Sequence, residues 1–180
     1  MEIKRETTAG TPLLRQWTFW YLIPDRFTIK SANWDEFLHR LADFETIEEF
    51  WGILNSIEKA SLLPKGCRYY VFKRGIRPLW EDRNNAGGIE LSIEHVIAKS
   101  KKEKINDRFE DVVLSLIGET IAHSEHINGI EFTIRTDKFR MNLWVSATGK
   151  PFKDEISADL LKLARWKAQV TTSDIKPESN

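Results

Sequence analysis

The chain has 180 residues, with 27 Lys and Arg against 27 Asp and Glu and hence no formal net charge. That length is most simply one domain with a substantial core. The charge balance argues against coating nucleic acid through its phosphates, which takes a basic surface, but leaves recognition of a single nucleotide open. One cysteine, Cys67, rules out an intramolecular disulfide and a cysteine-rich zinc site, and the 4 histidines show no metal-ligand spacing. No stretch is apolar for long enough to span a bilayer or to act as a signal peptide. The cytosol, and with it the nucleus, is therefore the expected compartment, with no membrane partner and no cofactor.

Met1 to Gly10 is polar and irregular and is expected as an N-terminal tail, with one domain spanning residues 11–170. Leu13 to Leu22 (LLRQWTFWYL) is dense in aromatics and reads as a strand, with Trp17, Phe19 and Tyr21 on one face and Thr18 and Trp20 on the other. A polar connection from Pro24 to Asn33 leads to Trp34. Phe37 to Phe44 has mixed periodicity, compatible with helix or strand, and strand is the expected reading. Thr46 and Glu49 form a capping box, so a helix is expected over Ile47 to Ile57. Phe50, Leu54 and Ile57 make its core stripe, and Ile47 and Trp51 form an i,i+4 pair beside it. That apolar band is wider than one buried face needs, which leaves Trp51 free to be a partly exposed anchor for a partner helix.

Cys67 to Phe72 reads as a strand, and Ile89, Leu91 and Ile93 alternate with polar residues as a second one. The charge run Lys99 to Lys104 is expected as a solvated loop. Asp107 to Ala122 has helical spacing through Phe109, Val112, Val113, Leu116, Ile117 and Ile121, with Glu110, Asp111 and Glu119 on its other face. Ile130 to Ile134 and Phe139 to Val145 alternate as strands, and a tight turn at Thr136–Lys138 makes them a hairpin. Arg135, Arg140 and Trp144 then share the polar side of that hairpin. Two readings stand for them: an anion-plus-ring site, or two solvated arginines on an amphipathic hairpin. A last amphipathic helix is expected over Lys153 to Ala168, burying Ile156, Leu160, Leu163 and Ala164, followed by a polar tail over residues 171–180.

The stretch richest in chemistry is Gly75 to Gly88 (GIRPLWEDRNNAGG). Pro78 stiffens its approach, and Asn84, Asn85, Gly87 and Gly88 turn the chain after it. At its centre an indole, Trp80, is followed at once by the carboxylate of Glu81. A Trp at a loop edge stacks on a flat ring while the adjacent Glu accepts hydrogen bonds from that ring's edge. Guanine suits this pair, because its N1–H and N2–H₂ donors point the same way and match the two carboxylate oxygens. Taken alone, a core Trp followed by two solvated acids is the plainer reading.

The order and spacing of several blocks decide between them. TPL with QWTFWYL, Trp34 before FETIEEFWGILNSI, GCRYYVFKRGIRPLWED, LSLIGE and IRTDKFRMNLW together resemble the translation initiation factor 4E family, from about Thr11 to Trp144. The resemblance implies an α+β fold, a curved antiparallel sheet with helices packed on its convex face and a cap-binding slot on the concave face. It implies that the 7-methylguanine of the messenger RNA cap lies between Trp34 and Trp80, with Glu81 on the base edge and Trp144 at the methyl group. Arg135, Lys138 and Arg140 would take the phosphates. Pro12, Ile47 and Trp51, with Glu110 and Asp111 on the neighbouring helix, would face the helical motif of a factor-4G-type scaffold or a 4E-binding protein.

The chain departs from the family pattern at Ile89 and Glu90, where a basic residue and a Trp are usual, at Asp137, where a Lys is common, and at Glu110, which replaces an apolar residue. It also ends soon after the expected last helix, where the family adds a further strand. The expected role is a cap-binding, non-enzymatic factor that starts translation by bridging capped messenger RNA to its scaffold. The alternative is a cap-binding repressor or storage protein that does not recruit factor 4G. An enzyme would need a nucleophile, and Cys67, in an aromatic strand with no His near it in sequence, reads as a small buried residue.

Overall fold

The computed structural model describes residues 10–24, 34–97, 102–165 and 169–176. In chain order the elements are β1 (Pro12–Leu22), α1 (Trp34–Phe37), β2 (Leu38–Thr46), α2 (Ile47–Ser56), β3 (Arg68–Lys73), β4 (Ile89–Val96), α3 (Lys102–Ile117), β5 (Ile127–Ile134), β6 (Lys138–Val145), α4 (Lys153–Ala164) and β7 (Thr171–Asp174). The seven strands form one curved sheet in the order β2-β1-β3-β5-β6-β4-β7. Every neighbouring pair is antiparallel.

Alternation decides the two faces. Trp17 and Phe19 of β1, Val71 of β3, Ile130 and Phe132 of β5, Met141 and Leu143 of β6 and Leu91 and Ile93 of β4 all fall on one side. They join Phe50 of α2, the buried stripe Ile105–Phe109–Val112–Leu116 of α3 and Ile156 and Leu160 of α4 in the main core. Each such large side chain taken out of water contributes about 1.5–3 kcal/mol, so this layer is what seats the helices. The opposite, open face carries a smaller apolar cluster of Leu22, Leu38, Tyr70, Phe72, Leu79, Trp144 and Ile175. Gly129 belongs to that face by register, and a Cβ there would sit 2.4 Å from the Phe72 ring. Only glycine lets β3 and β5 pair at that rung.

The capping box is present as expected. The Glu49 amide donates to the Thr46 hydroxyl at 3.2 Å and the Thr46 amide to the Glu49 carboxylate at 3.1 Å. The ambiguous stretch over residues 37–44 is the expected strand, β2, except for Phe37, which ends the one-turn helix α1.

Besides shifts of one to three residues at strand and helix ends, four features differ from the sequence reading. Helix α3 begins at Lys102, so Lys102 to Lys104 are helical rather than loop, because Ile105 adds a buried turn at its start; residues 99–101 of that charge run lie outside the described residues. It stops at Ile117 instead of Ala122. A Schellman arrangement closes it, with Thr120 N donating to Ser115 O at 3.0 Å and Glu119 N to Leu116 O at 3.1 Å. Glu119 holds the left-handed conformation at φ 53, and its carboxylate accepts from Arg15 Nε at 2.6 Å. Ile121 mimics helical spacing but reaches the core from the turn beyond. Helix α4 ends at Ala164, where Arg165 turns left-handed, and Leu163 is only half-buried.

The last correction is the C-terminal tail. Thr171–Asp174 is β7, pairing with Ile89–Ser92 of β4. Ile175 N then donates to Gly88 O at 3.1 Å and its side chain joins the open-face cluster. Strand β7 is polar and exposed on both faces, so periodicity could not reveal it; backbone pairing alone makes it a strand. Residues 1–9, most of the expected N-terminal tail, and the 25–33 connection lie outside the described residues.

Candidate functional site

Directly paired residues share a face, so the register lays three rungs across the open side. Thr18, Phe72, Gly129, Trp144 and Glu90 make the first, and Trp20, Tyr70, Glu131, Asn142 and Ser92 the second. Leu22, Arg68, Thr133, Arg140 and Glu94 make the third. Trp144 is buried, with Phe72 edge-on to it at 5.4 Å. It forms floor rather than wall. Its indole Nε1 has no hydrogen-bond partner, nor has Asn142 Oδ1 in the next rung. Beside them Arg68 and Glu131 form a buried ion pair at 3.0 Å.

At the rim stands the loop from Gly75 to Gly88. Pro78 and Leu79 are buried, Leu79 within the open-face cluster, while Trp80 is 41% exposed and Glu81 is exposed. With its backbone anchored and its ring open to solvent, this indole is placed to meet a flat ring. The loop keeps this shape through polar side chains. Asp82 accepts the Arg77 amide and the Asn84 amide, each at 2.9 Å. Asn85, 0% exposed, donates to the carbonyls of Arg77 and Leu79, both at 2.8 Å. Asn128, from β5, donates to Asn85 Oδ1 at 2.9 Å and to Asn84 O at 2.7 Å. Gly88 ends the loop against β6, where a Cβ would lie 2.3 Å from Val145 O. The sequence reading took Asn85 for a turn former and gave Asn128 no role; no local pattern marks either.

Trp34 opens α1, and its side chain lies outside what is described. Its neighbour Asp35 is ion-paired with Arg77, which ties α1 to the loop that carries Trp80. The hairpin of β5 and β6 turns between Arg135 and Lys138, whose backbones are bonded at 2.7 Å. Arg135 is exposed there. Lys138 and Arg140 both contact Glu94 of β4, so the three expected phosphate ligands share one end of the open face with an acid.

On the helix-covered side Pro12 pairs with Thr46, and the Ile47 amide donates to Thr11 O at 3.0 Å, which brings Pro12 and Ile47 together. Half-buried Trp51 lines a groove between α2 and α3 with Leu54, Tyr69, Phe109 and Glu110. Burial, reinforced by Asp107 and Asp111 and opposed by Lys59, raises the Glu110 carboxyl above the ordinary glutamate value. Asp111 does not line this groove; it pairs with Arg108 at 3.3 Å and lies 3.9 Å from Arg165.

A curved antiparallel sheet backed by helices, with an exposed indole and carboxylate on a rigid rim loop and cations nearby, defines a binding protein for a flat, hydrogen-bond-donating ring that carries an anionic tail. The family model of eukaryotic initiation factor 4E matches residues 12–173, and the chain belongs to that family. It is 40% identical over 146 residues to eukaryotic translation initiation factor 4E of Candida albicans, covering 78% of this chain and 67% of that one. To eukaryotic translation initiation factor 4E1 of Drosophila melanogaster it is 36% identical over 144 residues, covering 80% of this chain but 53% of the relative. Among solved structures, Ascaris suum eIF4E-3 with the m7G cap superimposes with a TM-score of 0.83 at 28% identity, over 94% of this chain and 93% of that one. Caenorhabditis elegans eIF4E-3 bound to the 4E-binding protein Mextli gives 0.80 at 27%, over 91% and 93%.

Proposed function

We propose that this protein binds the 7-methylguanosine cap of messenger RNA in the cytoplasm and bridges it to a helical segment of a factor-4G-type scaffold to start translation. The observation that carries the reading is the exposed Trp80 beside Glu81 on an internally braced loop. Methylation at N7 leaves a delocalised positive charge on the base, so an indole face gains cation–π attraction that unmethylated guanine lacks. Glu81 accepts N1–H and N2–H₂ as a charge-assisted bidentate pair. Trp34, next to the Asp35–Arg77 bridge, supplies the second face, and Trp144 the floor. The role is binding rather than catalysis, and Cys67, the one thiol of the chain, is buried at the entry to β3. Titration with 7-methyl-GTP and GTP tests this. The methylated ligand should quench Trp fluorescence and bind far more tightly; equal binding of both, or of neither, sinks the assignment.

The groove between α2 and α3 fits the scaffold's helix, because an apolar wall ending in an acid receives an amphipathic helix that carries a basic residue. Trp51→Ala should weaken such a peptide by about 2 kcal/mol or more, as loss of an aromatic anchor does. Cap affinity should be spared, since the groove and Trp80 lie on opposite sides of the sheet. Calorimetry with both ligands checks this, and equal loss of the two would make Trp51 a core residue.

A further inference from the structure

Strand β4 lends the open face acids where phosphates call for cations. Glu90 and Glu94 stand opposite Trp144 and Arg140, on the same side as the slot. Oε1 of Glu94 accepts from Arg140 Nε at 2.6 Å and also from Nη2, and Oε2 accepts from Lys138 Nζ. The Nε–Nη2 edge is one of the two edges by which a guanidinium grips a phosphate in bidentate fashion, and here a carboxylate already fills it. The pair is partly sheltered, with 26% of the Arg140 side chain and 29% of Glu94 exposed, so salt screens it less than a surface pair. Burial pushes the Glu94 carboxyl up, but hydrogen bonds from Lys138 and Arg140 and their charges outweigh that and hold it below the ordinary glutamate value. It is an anion at neutral pH. Arg68, Arg140 and Glu94 share the third rung, with Lys138 and Arg135 at the turn beyond it, while Glu90 lies two rungs away beside Trp144.

We infer that Glu94 is a resident counter-ion at the phosphate end of the slot, so that this protein selects caps by the methylated base and gains little from the phosphate chain. The inference rests on the cap-binding reading above. A cap phosphate reaches the occupied edge of Arg140 only by displacing Glu94, exchanging one anion for another and leaving the displaced carboxylate beside it. The other edge of Arg140 stays open, but Glu94 holds Lys138 as well, so two of the cations expected at the phosphates are already paired with it.

The test is titration of the whole protein with 7-methyl-GTP and 7-methylguanosine at low and high salt. Wild type should prefer the triphosphate by less than about tenfold, the range of one weak ion pair. Glu94→Gln should tighten 7-methyl-GTP by about tenfold, leave the nucleoside within about twofold, and steepen the salt dependence of the triphosphate alone. Glu94→Thr, which suits a strand, should give the same gain. Unchanged or weaker 7-methyl-GTP binding in both variants, with the nucleoside still bound, overturns the inference and leaves the cap reading standing. Wild type that binds neither ligand overturns both.

Discussion

Trp80→Ala is expected to lose most of the 7-methyl-GTP affinity while the protein melts at the wild-type temperature. Stacking of a base on an aromatic ring contributes about 1–3 kcal/mol, and the positive charge of the methylated base places this case at the upper end. Stability is spared because the indole is 41% exposed, while Pro78 and Leu79, not Trp80, anchor the loop. Glu81→Gln should cost at least as much binding. It keeps the shape but removes the charge and turns an amide donor towards a donor edge, leaving an unpaired group in a contact that excludes water. Fluorescence titration of each variant, paired with a thermal melt, checks both halves. Weakened binding with a lowered melting temperature would make Trp80 a packing residue and remove its claim to the ligand.

The second large effect lies one layer deeper. Asn85→Ala should destabilise the protein and weaken cap binding together. Two loop carbonyls, those of Arg77 and Leu79, lose their donor in a fully buried position, and Asn128 loses one of its two acceptors. Each buried polar group left unpaired costs about 1–3 kcal/mol. In a chain of this size each kcal/mol lowers Tm by about 2–4 °C. With its brace gone the loop has more conformations open to it, so Trp80 and Glu81 must be ordered at the expense of binding. Asn85→Asp should be worse, because it removes the donors and buries a charge. Calorimetric melting and 7-methyl-GTP titration read the two effects. An unchanged melt would mean that the hydrogen bonds to Arg77 and Leu79 contribute nothing.

The parts of the site that were legible in the sequence are those written locally. Thr46 and Glu49 are three residues apart and cap each other in the structure as their spacing implies. Ile130 to Val145 alternates with a period of two and is the expected hairpin. Trp80 and Glu81 are neighbours in the chain, and a proline before them and glycines after them indicated a rim loop. Trp144 was found on the right face, but alternation could not tell that Phe72 and its neighbours would bury it as floor. The contacts that could not be read join distant residues: Asn128 to Asn85 across 43 positions, Arg140 to Glu94 across 46, and Arg77 to Asp35 across 42. Strand β7 belongs with them, since its four polar residues are ordered only by the edge of β4.

By itself the sequence determined the helix and strand faces that bury the core, and the resemblance carried by its blocks implied the α+β class and the residues expected at a methylated guanine. Those follow from periodicity, capping chemistry and the order of blocks, which act over a few bonds or a few turns. Only the tertiary structure decided which cations near the slot are available to a ligand. Charge pairing depends on separations of a few ångströms between strands that the sequence leaves undefined, and the register of β4 against β6 sets Glu94 opposite Arg140. A slip of one residue would turn Glu94 into the core side and leave Lys138 and Arg140 without it.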